Sequence, residues 1–248
     1  MSIITDEEGS ILIVKINRPE KRNAIDLQTA DELERIFSDF EENDKFRVGI
    51  ISGTGGNFCS GADLDDLQKL SERSMNPNGP LGFTRRIIKK PVIASVSGYA
   101  VAGGFELALW ADFRICDETS KFGFLERRFG VPLIDGGTQR LPLISGLGNA
   151  LYLIITGSVI DAHEAFRMNI VNEVCHNPLE RSIQLGKIIS DFPQETLIND
   201  RRALFEGFPL MDGMDREASL GLEILHKGIH IRGADQFRKG KGRSEKSL

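Results

Sequence analysis

Gly103, Gly104 and Glu106 are where the sequence first offers chemistry. They lie in residues 98–112, G-Y-A-V-A-G-G-F-E-L-A-L-W-A-D. Pro91 to Val96, just before, reads as a short buried strand, apolar and β-branched. Phe105, Leu107, Ala108, Leu109, Trp110 and Ala111 suit a buried helix. The stretch therefore reads as strand, glycine turn and a helix that begins near Gly103. The first N–H groups of a helix lack intrahelical partners, and the helix dipole is positive there. Negative charge developing against the Gly103 N–H would be stabilised. Glu106, in the first turn, is a carboxylate in apolar company, and burying it without a partner is expensive. The same glycines also suit a plain tight strand–helix crossing, so the turn alone leaves both readings open. It is not a P-loop, because no Gly-Lys-Ser/Thr follows. It is not a dinucleotide fingerprint, because the G-x-G-x-x-G spacing is missing.

The elements that must position these residues follow from period and punctuation. Residues 10–17 read as a strand closed by Arg18-Pro19. Asp26 is placed as the N-cap of a helix to about Phe40, with Leu27, Ala30, Leu33, Ile36, Phe37 and Phe40 at helical spacing. Residues 46–52 read as a strand. The run from Cys59 leads into a helix through Leu70. Residues 71–82 have the least order in their composition, and residues 83–89 are predicted helical. Phe113 to Cys116 reads as a strand, residues 150–156 as a helix, Asp161 as the cap of a short helix, and residues 170–174 as a strand. From Glu180 onward every segment is helical in period. Alternating strands and helices imply an α/β fold with parallel pairing. A boundary near residues 191–193 divides a core, 1–190, from a helical region, 191–248. The basic, glycine-rich tail from Arg238 reads as a solvated terminus.

Composition narrows the partners. The chain has 248 residues, 40% hydrophobic and 27% charged, an ordinary globular balance that builds one large domain or one with an appendage. A formal charge of −5 gives no reason to expect nucleic acid or an anionic membrane. No apolar run approaches the roughly 20 residues of a membrane span, and the N-terminus has neither a basic nor an apolar leader region. Cys59, Cys116 and Cys175 fit free thiols in a reducing cytoplasm and argue against zinc. His226 and His230 are spaced i,i+4, but no carboxylate or cysteine is placed to complete a metal site; both are expected on a helix surface.

Five stretches, in order, carry a resemblance. They are N-R-P-E-K-R-N-A-I at residues 17–25, F-C-S-G-A-D-L at 58–64, the stretch at 98–112, F-G-F-L-E at 122–126 and G-G-T-Q-R-L at 136–141. Together they resemble the enoyl-CoA hydratase/isomerase (crotonase) superfamily over nearly the whole chain. The resemblance implies a spiral of β-β-α units, with a C-terminal helical region that forms trimers, often stacked in pairs. It implies an acyl-CoA thioester as ligand and no separate cofactor. Ala62 and Gly103 would supply the two N–H groups of an oxyanion hole, and Glu106 and Glu126 the catalytic carboxylates. Lys21, Arg22, Ala24 and Ser60 would lie along the CoA and substrate, with Ala62, Asp63, Leu64 and Gly104 beside them.

Retention of both glutamates favours hydration of a trans-2-enoyl-CoA. Double-bond isomerisation is the alternative enzyme reading, and a non-catalytic acyl-CoA-binding relative the alternative of another class. Leu125 replaces a common proline. Arg127 and Arg128 follow Glu126 directly, and a guanidinium turned into the site would favour the ionised Glu. Asp135 is expected either to accept N–H bonds within its own turn or to face the acyl chain as a third carboxylate, with the turn slightly preferred. Asp65 stands where relatives often carry lysine, so phosphate contacts must come from elsewhere, such as Lys21, Arg22 or the basic tail.

Overall fold

The computed structural model describes residues 1–240. The chain runs β1 (Ile3–Glu8), β2 (Ile11–Ile16), α1 (Leu27–Glu42), β3 (Val48–Gly53), α2 (Leu67–Glu72), β4 (Val92–Val96), β5 (Tyr99–Val101) and α3 (Gly103–Trp110). It continues through β6 (Phe113–Cys116), β7 (Lys121–Gly123), α4 (Gly137–Ser145), α5 (Leu147–Thr156), β8 (Ile160–Asp161), α6 (Ala162–Arg167) and β9 (Glu173–Val174). The helices α7 (Pro178–Asp191), α8 (Gln194–Glu206), α9 (Leu210–His226) and α10 (Ile229–Arg238) complete it.

From β4 onward the chain passes back and forth between two sheets, which gives the fold its spiral course. The larger sheet has the order β1-β2-β3-β4-β6-β9, parallel except for the β1–β2 hairpin. The smaller is β5-β7-β8, extended by single parallel bridges, Cys59 with Ala100 and Ile25 with Ala62. The turn β4-β5-α3 lays one strand on each sheet before a helix returns the chain. Parallel strands are covered on both faces, so their residues are apolar on both. One face of the large sheet packs on the main core. The other, with Ile11, Ile13, Val48, Ile50, Ile93 and Ile115, is covered by Leu179, Ile183 and Ile189 of α7.

Local signals explain several boundaries. Asp26 caps α1 as expected, with Thr29 N donating to its Oδ1 at 2.8 Å. Asp161 caps α6 in the same way through Glu164 N, at 2.9 Å. Three expectations fail. Residues 83–89 are not helical, because their side chains are drawn in different directions. The Phe83 ring lies 4.6 Å from both Phe37 and Trp110, while Arg85 Nη2 donates to Ile134 O at 2.7 Å. Their partners are far away in sequence, and tertiary contact overrides propensity. The run from Cys59 leads into α2 as expected, but the strand expected at 170–174 is confined to β9. Of the pair His226 and His230, His226 is exposed but His230 is buried, a correction to the surface reading. The basic tail lies outside the described residues from 241 onward.

Candidate active site

The site is assembled where the helix starts of the spiral converge. Ile25 N donates to Gly61 O at 2.8 Å and Asp63 N to Ile25 O at 2.7 Å, which pins both neighbours of Ala62. Neither Ala62 N–H nor Gly103 N–H has an acceptor among the described residues. A Cβ placed on Gly103 would stand 3.8 Å from Ala62 N, so the two donors share one small volume. Ala102, before the helix, has φ +54°, a region costly for a residue with a side chain. Its N–H is held by Gly123 O at 2.9 Å. Gly104 must be glycine for contact reasons: a Cβ there would meet Cys59 O at 2.1 Å.

Glu106 and Glu126 are buried, with 3% and 6% of their surface exposed. Glu106 Oε1 accepts the N–H groups of Asp135 (3.0 Å) and Gly137 (2.8 Å), which answers why the sequence tolerates a buried carboxylate there. Burial raises its pKa well above the ordinary carboxylate range, and the charges of Asp135, Glu217 and Glu126 add to the rise. Glu126 sits on the 3-10 helix Leu125–Phe129. Neither of its carboxylate oxygens has a hydrogen-bond partner among the described residues. Burial pushes it up to about 8, against the opposing pull of Arg127. Burial therefore outweighs Arg127. Arg127 is exposed, Arg128 Nη2 reaches Gly157 O at 3.4 Å, and neither is ion-paired with Glu126.

Asp135 overturns the turn reading. Its Oδ1 accepts from Leu81 N at 3.2 Å and from the Thr84 hydroxyl, 54 and 51 residues away, not from its own bend. Burial raises its pKa, opposed by Thr84 and by Arg85 and Arg140. The third carboxylate is thus in the cluster, within electrostatic reach of both glutamates.

A fourth, Glu217 of α9, escaped the sequence reading. Its Oε1 accepts from Gly136 N at 2.6 Å; its Oε2 accepts from Thr138 N at 2.9 Å and from the Thr138 hydroxyl. The signal was available, because α9 buries Leu210, Met214, Glu217, Ala218, Gly221 and Leu225. A glutamate in an apolar stripe calls for a partner as Glu106 did.

The residues expected around CoA form one rim. Ser60 N donates to Arg22 O and Ala24 N to Lys21 O, both at 3.1 Å. Arg22 stacks on Tyr99 at 5.1 Å. Asp63 turns its carboxylate to Arg18 Nη2 at 2.9 Å, so that side chain serves the rim internally. Lys21 Nζ pairs with Asp65 at 2.6 Å, and Arg238 Nη2 of α10 donates to Leu64 O at 2.9 Å. Leu64 and Gly104 enter these contacts through their backbone, Leu64 by its carbonyl and Gly104 by its close approach to Cys59.

A family model described as enoyl-CoA hydratase/isomerase matches residues 6–184. A crotonyl-CoA hydratase of Syntrophomonas wolfei is 40% identical over 178 residues, 70% of this chain and 68% of that protein. A short-chain-enoyl-CoA hydratase of Clostridium acetobutylicum is 36% identical over 178 residues, again 70% and 68%. Among solved structures, an enoyl-CoA hydratase from Mycobacterium marinum superposes with a TM-score of 0.79 at 30% identity, covering 96% of each chain.

Proposed function

Because the chain belongs to the enoyl-CoA hydratase/isomerase family, we propose that it is an enoyl-CoA hydratase in which Glu106 and Glu126 work as a pair beneath an Ala62/Gly103 oxyanion hole. The observation that carries this reading is the unequal bonding of two buried carboxylates. Glu106 accepts two backbone N–H groups, and Glu126 accepts none. Hydrogen bonds to a carboxylate favour its charged form, and burial without them favours the neutral acid. Burial raises both carboxyls, but the two backbone N–H bonds that Glu106 accepts favour its charged form, so we assign the one proton of the pair to Glu126.

Water approaching C3 of a trans-2-enoyl-CoA gives its proton to Glu106 as the C3–O bond forms. The electron pair of the double bond moves through C2 onto the thioester oxygen, which Ala62 and Gly103 N–H groups hold. Glu126 delivers its proton to C2, and the product is a 3-hydroxyacyl-CoA. Loss of one such donor costs about 2.7–4 kcal/mol of transition-state stabilisation. The sequence of steps uses no cofactor; coenzyme A arrives as part of the substrate, with Lys21 and Arg22 nearest its charged end.

The same reading takes 1–190 as the catalytic core and 191–248 as the region that closes the site and joins subunits. α5 leaves Leu147, Leu151, Tyr152 and Ile155 exposed, and α8 leaves Leu204. Such a surface is commonly covered by a second subunit, which supports a trimer or a pair of trimers. Three unpaired cysteines support a cytoplasmic setting. Among the described residues no helix is long and apolar enough to cross a membrane.

The test is the conjugated absorbance of crotonyl-CoA on adding the protein. Loss of the band with formation of 3-hydroxybutyryl-CoA is expected. A constant band over a range of acyl lengths would refute the reading, and appearance of the band from a 3-enoyl thioester would replace it with isomerisation.

A further inference from the structure

Four successive N–H groups, from Asp135 to Thr138, are shared alternately between two carboxylates. Asp135 N and Gly137 N donate to Glu106, while Gly136 N and Thr138 N donate to Glu217. The two glutamates come from α3 and α9, on either side of one short bend. A backbone segment gripped from both sides has little freedom to rotate any one of its N–H groups away.

The grip from α9 is built into that helix. Gly213, Glu217 and Gly221 recur at four-residue spacing and so share one face. A Cβ on Gly221 would meet Ile134 Cγ2 at 2.1 Å, and one on Gly213 would meet Gln139 Oε1 at 2.1 Å. The absence of side chains above and below Glu217 lets the helix backbone come down onto residues 134–139. Met214 adds contact on that face, its Sδ lying 3.8 Å from Arg140 Nη2.

We propose that Glu217 is a positioning residue for the reaction: by holding Gly136 and Thr138 it orients the Asp135 and Gly137 N–H groups that fix Glu106. This rests on the hydratase reading above. Glu217 touches no reacting atom. It acts through the bend and, secondarily, as one of the negative charges around Glu106. The groups facing Glu106 are Asp135 and Glu217, with Glu126 beyond and the Arg140 guanidinium opposing them. Those facing Glu217 are Gly136, Thr138, Asp135 and Arg140.

The experiment compares the full-length parent with Glu217→Gln and Glu217→Ala. Hydrogen exchange is followed at the amides of residues 135–138, and turnover of crotonyl-CoA across pH is measured in parallel. Glu217→Ala should speed exchange at all four amides, including Asp135 and Gly137, whose acceptor Glu106 is intact. It should lower kcat roughly tenfold or more with KM within about twofold. Glu217→Gln keeps the size and one good acceptor, so it should recover part of kcat. It should also shift the pH limit set by Glu106 to lower pH, because a neighbouring negative charge is gone.

Faster exchange confined to Gly136 and Thr138, with Asp135 and Gly137 still protected, would overturn the proposal. So would parent kcat and an unmoved pH profile in both variants. If the parent itself turns over no enoyl thioester, the hydratase reading fails. The exchange pattern still decides whether Glu217 orders the bend.

Discussion

Asp135 Oδ1 accepts the hydroxyl of Thr84, so one buried hydrogen bond ties the bend before α4 to the irregular segment before β4. The same oxygen accepts Leu81 N, and Leu81 Cδ1 would stand 3.1 Å from a Cβ on Gly103. Asp135 therefore joins the bend that holds Glu106 to the wall beside Gly103. Asparagine can accept the same two bonds through its Oδ1 but carries no charge. Asp135→Asn should fold with a Tm at or above the parent's. Asp135→Ala should lose about 1–3 kcal/mol, the cost of leaving buried donors unmade. The ratio of hydration to isomerisation on matched 2-enoyl and 3-enoyl thioesters is expected to be unchanged in Asp135→Asn. A selective collapse of isomerisation would assign the carboxylate to proton exchange beyond C2.

Glu126 couples activity and stability to pH in opposite ways from a surface carboxylate. Its folded pKa, about 8, lies above the ordinary value of 4.5. Between those values the folded state binds more protons than the unfolded, so stability falls as pH rises through that window. As a proton donor, Glu126 must be protonated, and kcat should decline above about pH 8. Glu126→Gln should lower turnover by roughly a hundredfold or more, the scale of acid–base catalysis. The variant should also melt several degrees higher than the parent at pH 9 and no higher at pH 4. Thermal melts across pH, read beside the rate profile, check both halves.

The glycine pair at the start of α3 should separate sharply. Gly104→Ala drives a Cβ to 2.1 Å from Cys59 O, backbone that cannot step aside, whereas Gly103→Ala meets only the end of Leu81 at 3.1 Å. The first should cost about 2 kcal/mol or more, in the range of core overpacking, and the second less than about 1. Gly103→Pro removes the N–H itself at a helix position where proline is tolerated. It should abolish turnover in a protein that still folds, and circular dichroism with the rate assay distinguishes the three.

Lys21 is expected to act on coenzyme A and not on the acyl chain. Its ammonium group is engaged by Asp65 and Asp63 at the rim. Lys21→Ala should raise KM for crotonyl-CoA several-fold and leave kcat close to the parent's. A crotonyl thioester of N-acetylcysteamine, which lacks the phosphates, should show no such change.

What could be read from the sequence was what local chemistry decides. Asp26 and Asp161 announced their caps because the acceptor and the N–H lie three residues apart. The start of α3 at Gly103 followed from a change of period, and Glu106 drew attention because an apolar neighbourhood made its burial expensive. Phe83 to Lys89 misled because helical spacing is only a weak prior against aromatic packing between α1 and α3. α4 was hidden by its own punctuation, a Gly-Gly at its start and Pro142 inside it. Asp135 gave the wrong turn, since its donors lie more than fifty residues earlier and no neighbour betrays them. Glu217 stood in plain view within an apolar stripe, but only its contact with Gly136 and Thr138 shows what it does.

The position of Glu217 also has a meaning in time. A ribosome makes the chain from the N-terminus, and domains begin to fold as they emerge. By the time residue 190 appears, Glu106, Glu126, Ala62, Gly103 and the whole bend at 135–138 have been synthesised. Gly136 and Thr138 N–H groups nevertheless lack their carboxylate acceptor until α9 follows. The last described helix, α10, then places Arg238 on Leu64 O, two residues beyond Ala62. A nascent or truncated chain ending near residue 190 would therefore carry Glu106 and Glu126 with the bend beneath Glu106 held from one side only.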